Sequence, residues 1–109
     1  MVVPITEREF QQQVTELASR LGWHWLHVER MGNAQGQWRT PVSGPLGRGF
    51  PDLLMVRRST FLFAELKAQG KYPSELQKTA LKILGLATPH CYIWRPSDFP
   101  QIVEVLTNA

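Results

Sequence analysis

Sulfur is scarce in this chain: among 109 residues Cys91 is the only cysteine. No intrachain disulfide can form, which fits a reducing compartment. One thiol cannot build a zinc cage either. Cys91 lies in the strand-like run His90-Cys91-Tyr92-Ile93-Trp94 and reads as a buried apolar residue. Long hydrophobic runs are also missing, since none approaches the ~20 residues of a membrane span. The opening Met1-Val2-Val3-Pro4 meets Glu7, Arg8 and Glu9 before the apolar segment of a secretory signal could develop. The expectation is a cytoplasmic protein with no membrane partner. No glycine loop of the phosphate-cradling type occurs, so no nucleotide cofactor is expected. Internal repeats and low-complexity tracts are absent as well.

What remains is the composition of one ordinary globular domain spanning residues 1–109, with 43% hydrophobic and 19% charged residues. Twelve Lys and Arg against nine Asp and Glu give a net charge of +3. That balance leans toward a polyanionic partner. The lean gains weight because Glu7, Asp52 and Glu65 fall in a candidate site; a bound cation there would leave the remaining surface more basic.

The most informative stretch is Phe50-Pro51-Asp52, followed thirteen positions after the aspartate by Glu65-Leu66-Lys67. Residues 52–56 and 60–67 read as two apolar strands joined by a polar turn at Arg57-Arg58-Ser59. Such a hairpin brings the start of the first strand beside the end of the second, so Asp52 should neighbour Glu65. Side chains alternate along a strand. Phe61, Phe63, Glu65 and Lys67 then share one face, and Leu62, Ala64 and Leu66 the other. Both faces are apolar until the end, which predicts a strand buried on both sides. A lone Glu-x-Lys is common on solvated strands as an ion pair, and an aspartate after proline often caps a turn. Two carboxylates meeting at the end of apolar strands are different, because charge there is costly unless paired or bound to metal. Two carboxylates and a lysine are the minimum set for metal-assisted phosphodiester cleavage: oxygen ligands for a hard cation, and an ammonium to orient water or offset charge.

Helical spacing predicts a first helix over residues 6–21. Thr6 and Glu9 form a capping box, Phe10, Val14, Leu17, Ala18 and Leu21 an inward stripe, and Gly22 a stop. Glu7 falls on the inward side; Glu9 and Glu16 fall outside. Residues 23–29 alternate as a strand, with Trp23, Trp25 and His27 on one side. His27 reads first as a hydrogen-bonded structural histidine, with a ligand or phosphate contact as the alternative. Residues 30–49 show no apolar periodicity and carry Gly32, Gly36, Gly44, Gly47 and Gly49 with Arg30, Arg39 and Arg48. They predict either a long loop over the substrate, with those arginines as DNA contacts, or a flexible solvated insertion; Trp38 reads as an anchor on the core, with stacking on a base as the alternative. Ser74 opens a second helix with Gln77 closing a Ser-x-x-Gln capping box, and Leu76, Ala80, Leu81 and Leu84 as its apolar face. Lys71, Lys78 and Lys82 are candidate phosphate contacts, or a solvated face. Residues 90–94 predict a strand. Ser97 then caps a last helix, with Asp98 in its first turn and Phe99, Ile102, Val103 and Leu106 turned inward.

Taken together, these residues resemble a PD-(D/E)XK nuclease, and more narrowly the small stand-alone VRR-NUC domains. The resemblance rests on Thr6-Glu7 with Phe10-Gln11, Gly22-Trp23, His27, Gly49-Phe50-Pro51-Asp52-Leu53, Ala64-Glu65-Leu66-Lys67, Ser74-x-x-Gln77 and Trp94-Arg95-Pro96-Ser97-Asp98. It implies an α/β restriction-endonuclease-like core, a mixed central sheet of about four strands flanked by helices. It further implies Mg²⁺ or Mn²⁺ held by Asp52, Glu65 and the Leu66 carbonyl, with Glu7 joining directly or through water. Lys67 and Gln77 complete the catalytic set. The implied activity is that of a homodimeric DNA endonuclease acting on branched DNA such as four-way junctions, in a bacterial or phage-infected cell. Two other outcomes stay open: a catalytically silent DNA-binding or assembly module of the same fold, and a non-specific or flap-type nuclease that needs a partner.

Overall fold

A computed structural model describes residues 4–28, 31–32, 38–39 and 44–109, with residues 31–32 and 38–39 described at the backbone only. Helix α1 (Glu7–Arg20) starts at Thr6, whose hydroxyl accepts the Glu9 N–H while the Glu9 carboxylate accepts the Thr6 N–H. It stops where Gly22 turns the chain at φ +84°, a conformation glycine adopts without strain. Strand β1 (His24–His27) follows. It is shorter than expected. Trp23 lies before it as a buried anchor, its indole N–H donating to the Leu106 carbonyl. Trp25 and Leu26 are exposed, because β1 is an edge strand with a neighbour on one side only.

The segment 30–49, expected to lack regular structure, contains a two-stranded antiparallel ribbon, β2 (Met31–Gly32) with β3 (Trp38–Arg39), and a 3-10 turn at Gly47–Gly49. Periods of two and three residues are too short to register as apolar periodicity. Arg30 lies outside the described residues, and so do the side chains of Trp38 and Arg39.

Strands β4 (Leu53–Arg57) and β5 (Thr60–Leu66) form the expected hairpin around a turn at Arg58-Ser59. Helix α2 (Glu75–Ala87) then carries the chain across to β6 (Cys91–Trp94), which pairs parallel to β5. A 3-10 turn at Pro96–Asp98 leads into α3 (Phe99–Asn108). Ser97 does not cap α3; its N–H donates to the Gln69 side-chain carbonyl. The Asp98 carboxylate accepts the Arg95 N–H instead, closing the turn. The result is a mixed four-stranded sheet in the order β1-β4-β5-β6, flanked by helices.

The register sorts the two faces of the sheet. Leu53, Met55, Leu62, Ala64, Leu66 and Trp94 are buried together with Phe10, Val14 and Ala18 of α1 and Ile102 and Leu106 of α3. On the opposite face the expectation of full burial does not hold: Phe61 is 58% exposed, and Leu54, Val56 and Phe63 are half-buried. Among the described residues α2 packs chiefly on the Gly47–Gly49 turn and on β6, and less on the central strands. For the same reason the inward side of α2 is rotated from the expected stripe. It runs through Gln77, Ala80, Leu81 and Leu84, while Leu76 is exposed. Val103 of α3 likewise faces out. Among the described residues no helix is long and apolar enough to cross a membrane.

Candidate active site

The site forms where β4 begins and β5 ends. Leu53 pairs with Ala64, so one further step of the same register sets Asp52 opposite Glu65. Two hydrogen bonds fix Asp52. Its main-chain carbonyl accepts the Val28 N–H at 2.9 Å, extending the β1–β4 ladder. Its Oδ2 accepts the Leu66 N–H at 2.8 Å. The carboxylate is thus fastened to the neighbouring strand through one oxygen, and it lines a cleft of about 210 Å³.

Glu65 is 1% exposed. Its Oε1 accepts the Gln77 Nε2–H at 3.2 Å and lies 4.0 Å from Lys67 Nζ, a loose ion pair. Lys67 follows the last residue of β5, but its N–H donates to the Trp94 carbonyl at 3.0 Å. That bond continues the parallel pairing one residue further and keeps Lys67 on the Glu65 side of the strand.

Gln77 is buried at the third position of α2. Its Oε1 accepts the Ser74 N–H at 2.8 Å, and its own N–H donates to Ser74 Oγ at 3.2 Å. One amide therefore closes the helix cap with its oxygen and holds Glu65 with its nitrogen. The first turn of α2 reaches this position because Gly49 has no side chain. A Cβ there would lie 2.1 Å from the Leu76 carbonyl oxygen and 3.0 Å from the Gln77 nitrogen.

The opposite wall comes from α1. Glu7, exposed to solvent, lines the cleft together with Arg8 and Gln11. His27 and Val28 close the end nearest β1. Asp52, Glu65, Lys67, Gln77 and Glu7 are thus gathered around one cavity. Leu66 is not among the lining residues: its side chain belongs to the core, and its N–H holds Asp52. Arg48, Lys71 and Lys78 are exposed and lie outside the lining, with Lys78 paired to Glu75 at 3.2 Å. Arg8 carries no signal in the sequence pattern, and Gln11 enters there only as part of the motif behind the resemblance. The signal for Gln11 is positional: it stands one helical turn after Glu7, so an inward Glu7 carries Gln11 with it.

Could this set hold a cation? Among the described residues no three His, Cys, Asp or Glu side chains are grouped so as to hold a metal ion by themselves. Two hard carboxylates flanking a solvent-open cleft do suit Mg²⁺ or Mn²⁺, which retain several waters and need only one or two protein carboxylates. Away from the cleft, burial pushes the Cys91 thiol above its ordinary value, and its S–H points to the Leu81 carbonyl. Cys91, expected to be buried, is half-buried, and the upward shift disfavours its thiolate.

No protein-family model matches the chain, and neither a curated protein nor a solved structure does. The class the fold defines is a mixed α/β protein whose polar cleft lies at the carboxyl end of β5.

Proposed function

We propose that this protein is a divalent-metal-dependent endodeoxyribonuclease of the PD-(D/E)XK type, similar to the small stand-alone VRR-NUC domains. Its preferred substrate is branched DNA such as four-way junctions, and it acts as a homodimer. One observation carries the reading: Asp52, Glu65 and Lys67 border a single cleft, with Asp52 tied to β5 and Glu65 tied to Gln77. A structural ion pair would need neither the second carboxylate nor the buried amide.

Asp52 and Glu65 would hold the ion, with Glu7 near enough to the same cavity to contribute through water. When bound, such an ion supplies Lewis acidity toward the phosphate and lowers the pKa of water. Gln77 fixes one oxygen of Glu65. Lys67, beside Glu65, orients the attacking water or a phosphate oxygen and offsets negative charge developing there. The net charge of +3 favours a DNA partner, and Arg48 and Lys71 are exposed cations available to its backbone. Symmetric incision of a junction requires two sites related by a two-fold axis. Leu26, Phe61 and Leu86 are exposed apolar groups that a second copy could cover.

A panel of four-way, flap, nicked and linear duplex DNA, incubated with Mg²⁺, Mn²⁺ or EDTA, tests the activity. Light scattering at the same protein concentration tests the assembly. The expected result is cleavage with either ion, fastest on the junction, by a particle of twice the chain mass. A monomer cutting junction and duplex at equal rates would reduce the proposal to a non-specific nuclease. Binding without cleavage under every condition would favour the silent module.

A further inference from the structure

Beyond the cleft, the loop after Lys67 carries a second feature that the catalytic set does not use. Tyr72 is 77% exposed, an unusual position for a tyrosine ring in a segment so firmly held. The Arg95 guanidinium lies over one side of the ring, 5.0 Å from its centroid. Arg95 is itself fixed, since its Nε–H donates to the Lys71 carbonyl at 2.9 Å. The rest of the loop is tied down equally well. The Lys71 N–H donates to the Ala68 carbonyl at 3.0 Å, and the Gln69 side-chain carbonyl accepts the Ser97 N–H at 3.1 Å. Pro73 is buried. These bonds hold Tyr72 outward without burying it, so they contribute little to the core.

We propose that Tyr72, backed by Arg95, is a stacking platform for an unpaired DNA base beside the scissile phosphate. This deepens the nuclease reading and rests on it. Three observations carry it. The first is chemical: a flat aromatic face backed by a fixed guanidinium suits a nucleobase, and stacking tolerates any base. The second is position. The Lys67 N–H is bonded to the Trp94 carbonyl, and Arg95 is the next residue. The platform therefore adjoins the wall of the cleft that carries Lys67. The third is charge: exposed Lys71 stands next to Tyr72 to meet the backbone of the same strand. Bases inside a duplex are already stacked on both faces and cannot use the ring. The platform thus selects DNA that offers an unpaired nucleotide next to the phosphate to be cut, as at a flap, a gap or a junction whose branch-point pair has opened.

The test compares a labelled duplex bearing a short single-stranded arm with the same molecule carrying abasic sites in that arm. Binding is measured in EDTA, without turnover, for the wild-type protein, Tyr72→Trp, Tyr72→Leu and Tyr72→Ala. The expected result is that wild type and Tyr72→Trp bind the base-bearing arm at least about fivefold more tightly than the abasic one. Tyr72→Leu and Tyr72→Ala should lose that discrimination. Equal binding of both arms by wild type, or discrimination retained in Tyr72→Ala, would overturn the platform. Cleavage in Mg²⁺ is scored separately. Base discrimination without any cleavage would sink the nuclease reading and leave the platform standing, whereas cleavage without discrimination would do the reverse.

Discussion

The Gln77 amide does two jobs whose requirements can be separated by substitution. As the third residue of α2 it closes the capping box with Ser74, a role glutamate fills as well. As a donor to Glu65 it needs a hydrogen to give, which an ionised glutamate lacks. Gln77→Glu should therefore keep the helix cap but bring a third carboxylate against a buried one. We expect turnover to fall by at least about tenfold with the fold retained, because like charges in a buried site disfavour full ionisation. Unchanged turnover in this variant would leave Gln77 with the cap alone. At this scale much of the site was legible in the sequence. Alternation along residues 60–67 set Glu65 and Lys67 on one side, and the hairpin brought Asp52 opposite Glu65. Arg57 was not legible, because its partners are remote in sequence: its guanidinium donates to the Leu21, Thr107 and Ala109 carbonyls and lies over the Trp23 ring.

Among the elements, that same Arg57 binds the carboxyl ends of two helices to the sheet. The α1 and α3 termini leave carbonyls that need donors, and a cation favours the negative end of a helix. Arg57→Met should lower unfolding free energy by about 1–3 kcal/mol in urea denaturation. Arg57→Lys should recover only part, since an ammonium lacks the planar fork that reaches several carbonyls at once. A midpoint unchanged in Arg57→Met would contradict the clamp. The contact of the Gly47–Gly49 turn with α2 is the second element-scale device. Gly49→Ala must push the first turn of α2 away from the sheet, and Gln77 with it. The expected loss is about 1–3 kcal/mol, as for overpacking elsewhere, and activity should fall further than stability alone explains. A Gly49→Ala protein with wild-type midpoint and turnover would show that the close approach is dispensable. Of the elements, the three helices and the central hairpin could be read from periodicity, with capping boxes marking α1 and α2 but not α3. The ribbon within residues 30–49 could not, because two-residue strands carry no pattern, and the uneven burial of β5 depended on which helices cover each face.

In the whole molecule, the sheet lies between the packed core and the polar cleft. One face packs on α1 and α3 and fixes the strands, while the carboxyl end of β5 opens into the cleft. The opposite face, with Phe61 and Leu26 exposed, is only partly covered by α2. The mixed α/β architecture was legible because the strands at residues 52–67 and 90–94 alternate with capped helices. The surface that would join two copies was not, since exposed and buried apolar residues look alike in a sequence. The central claim is that Asp52, Glu65 and Lys67 form one metal-dependent hydrolytic site. Single-turnover cleavage of a four-way junction tests it most directly, with wild type, Glu65→Gln and Lys67→Ala compared in Mg²⁺ and in EDTA. The account predicts cleavage by wild type in Mg²⁺ alone, and a loss of at least about a hundredfold in each variant with junction binding largely retained. Undiminished cleavage in EDTA, or by either variant in Mg²⁺, would contradict it.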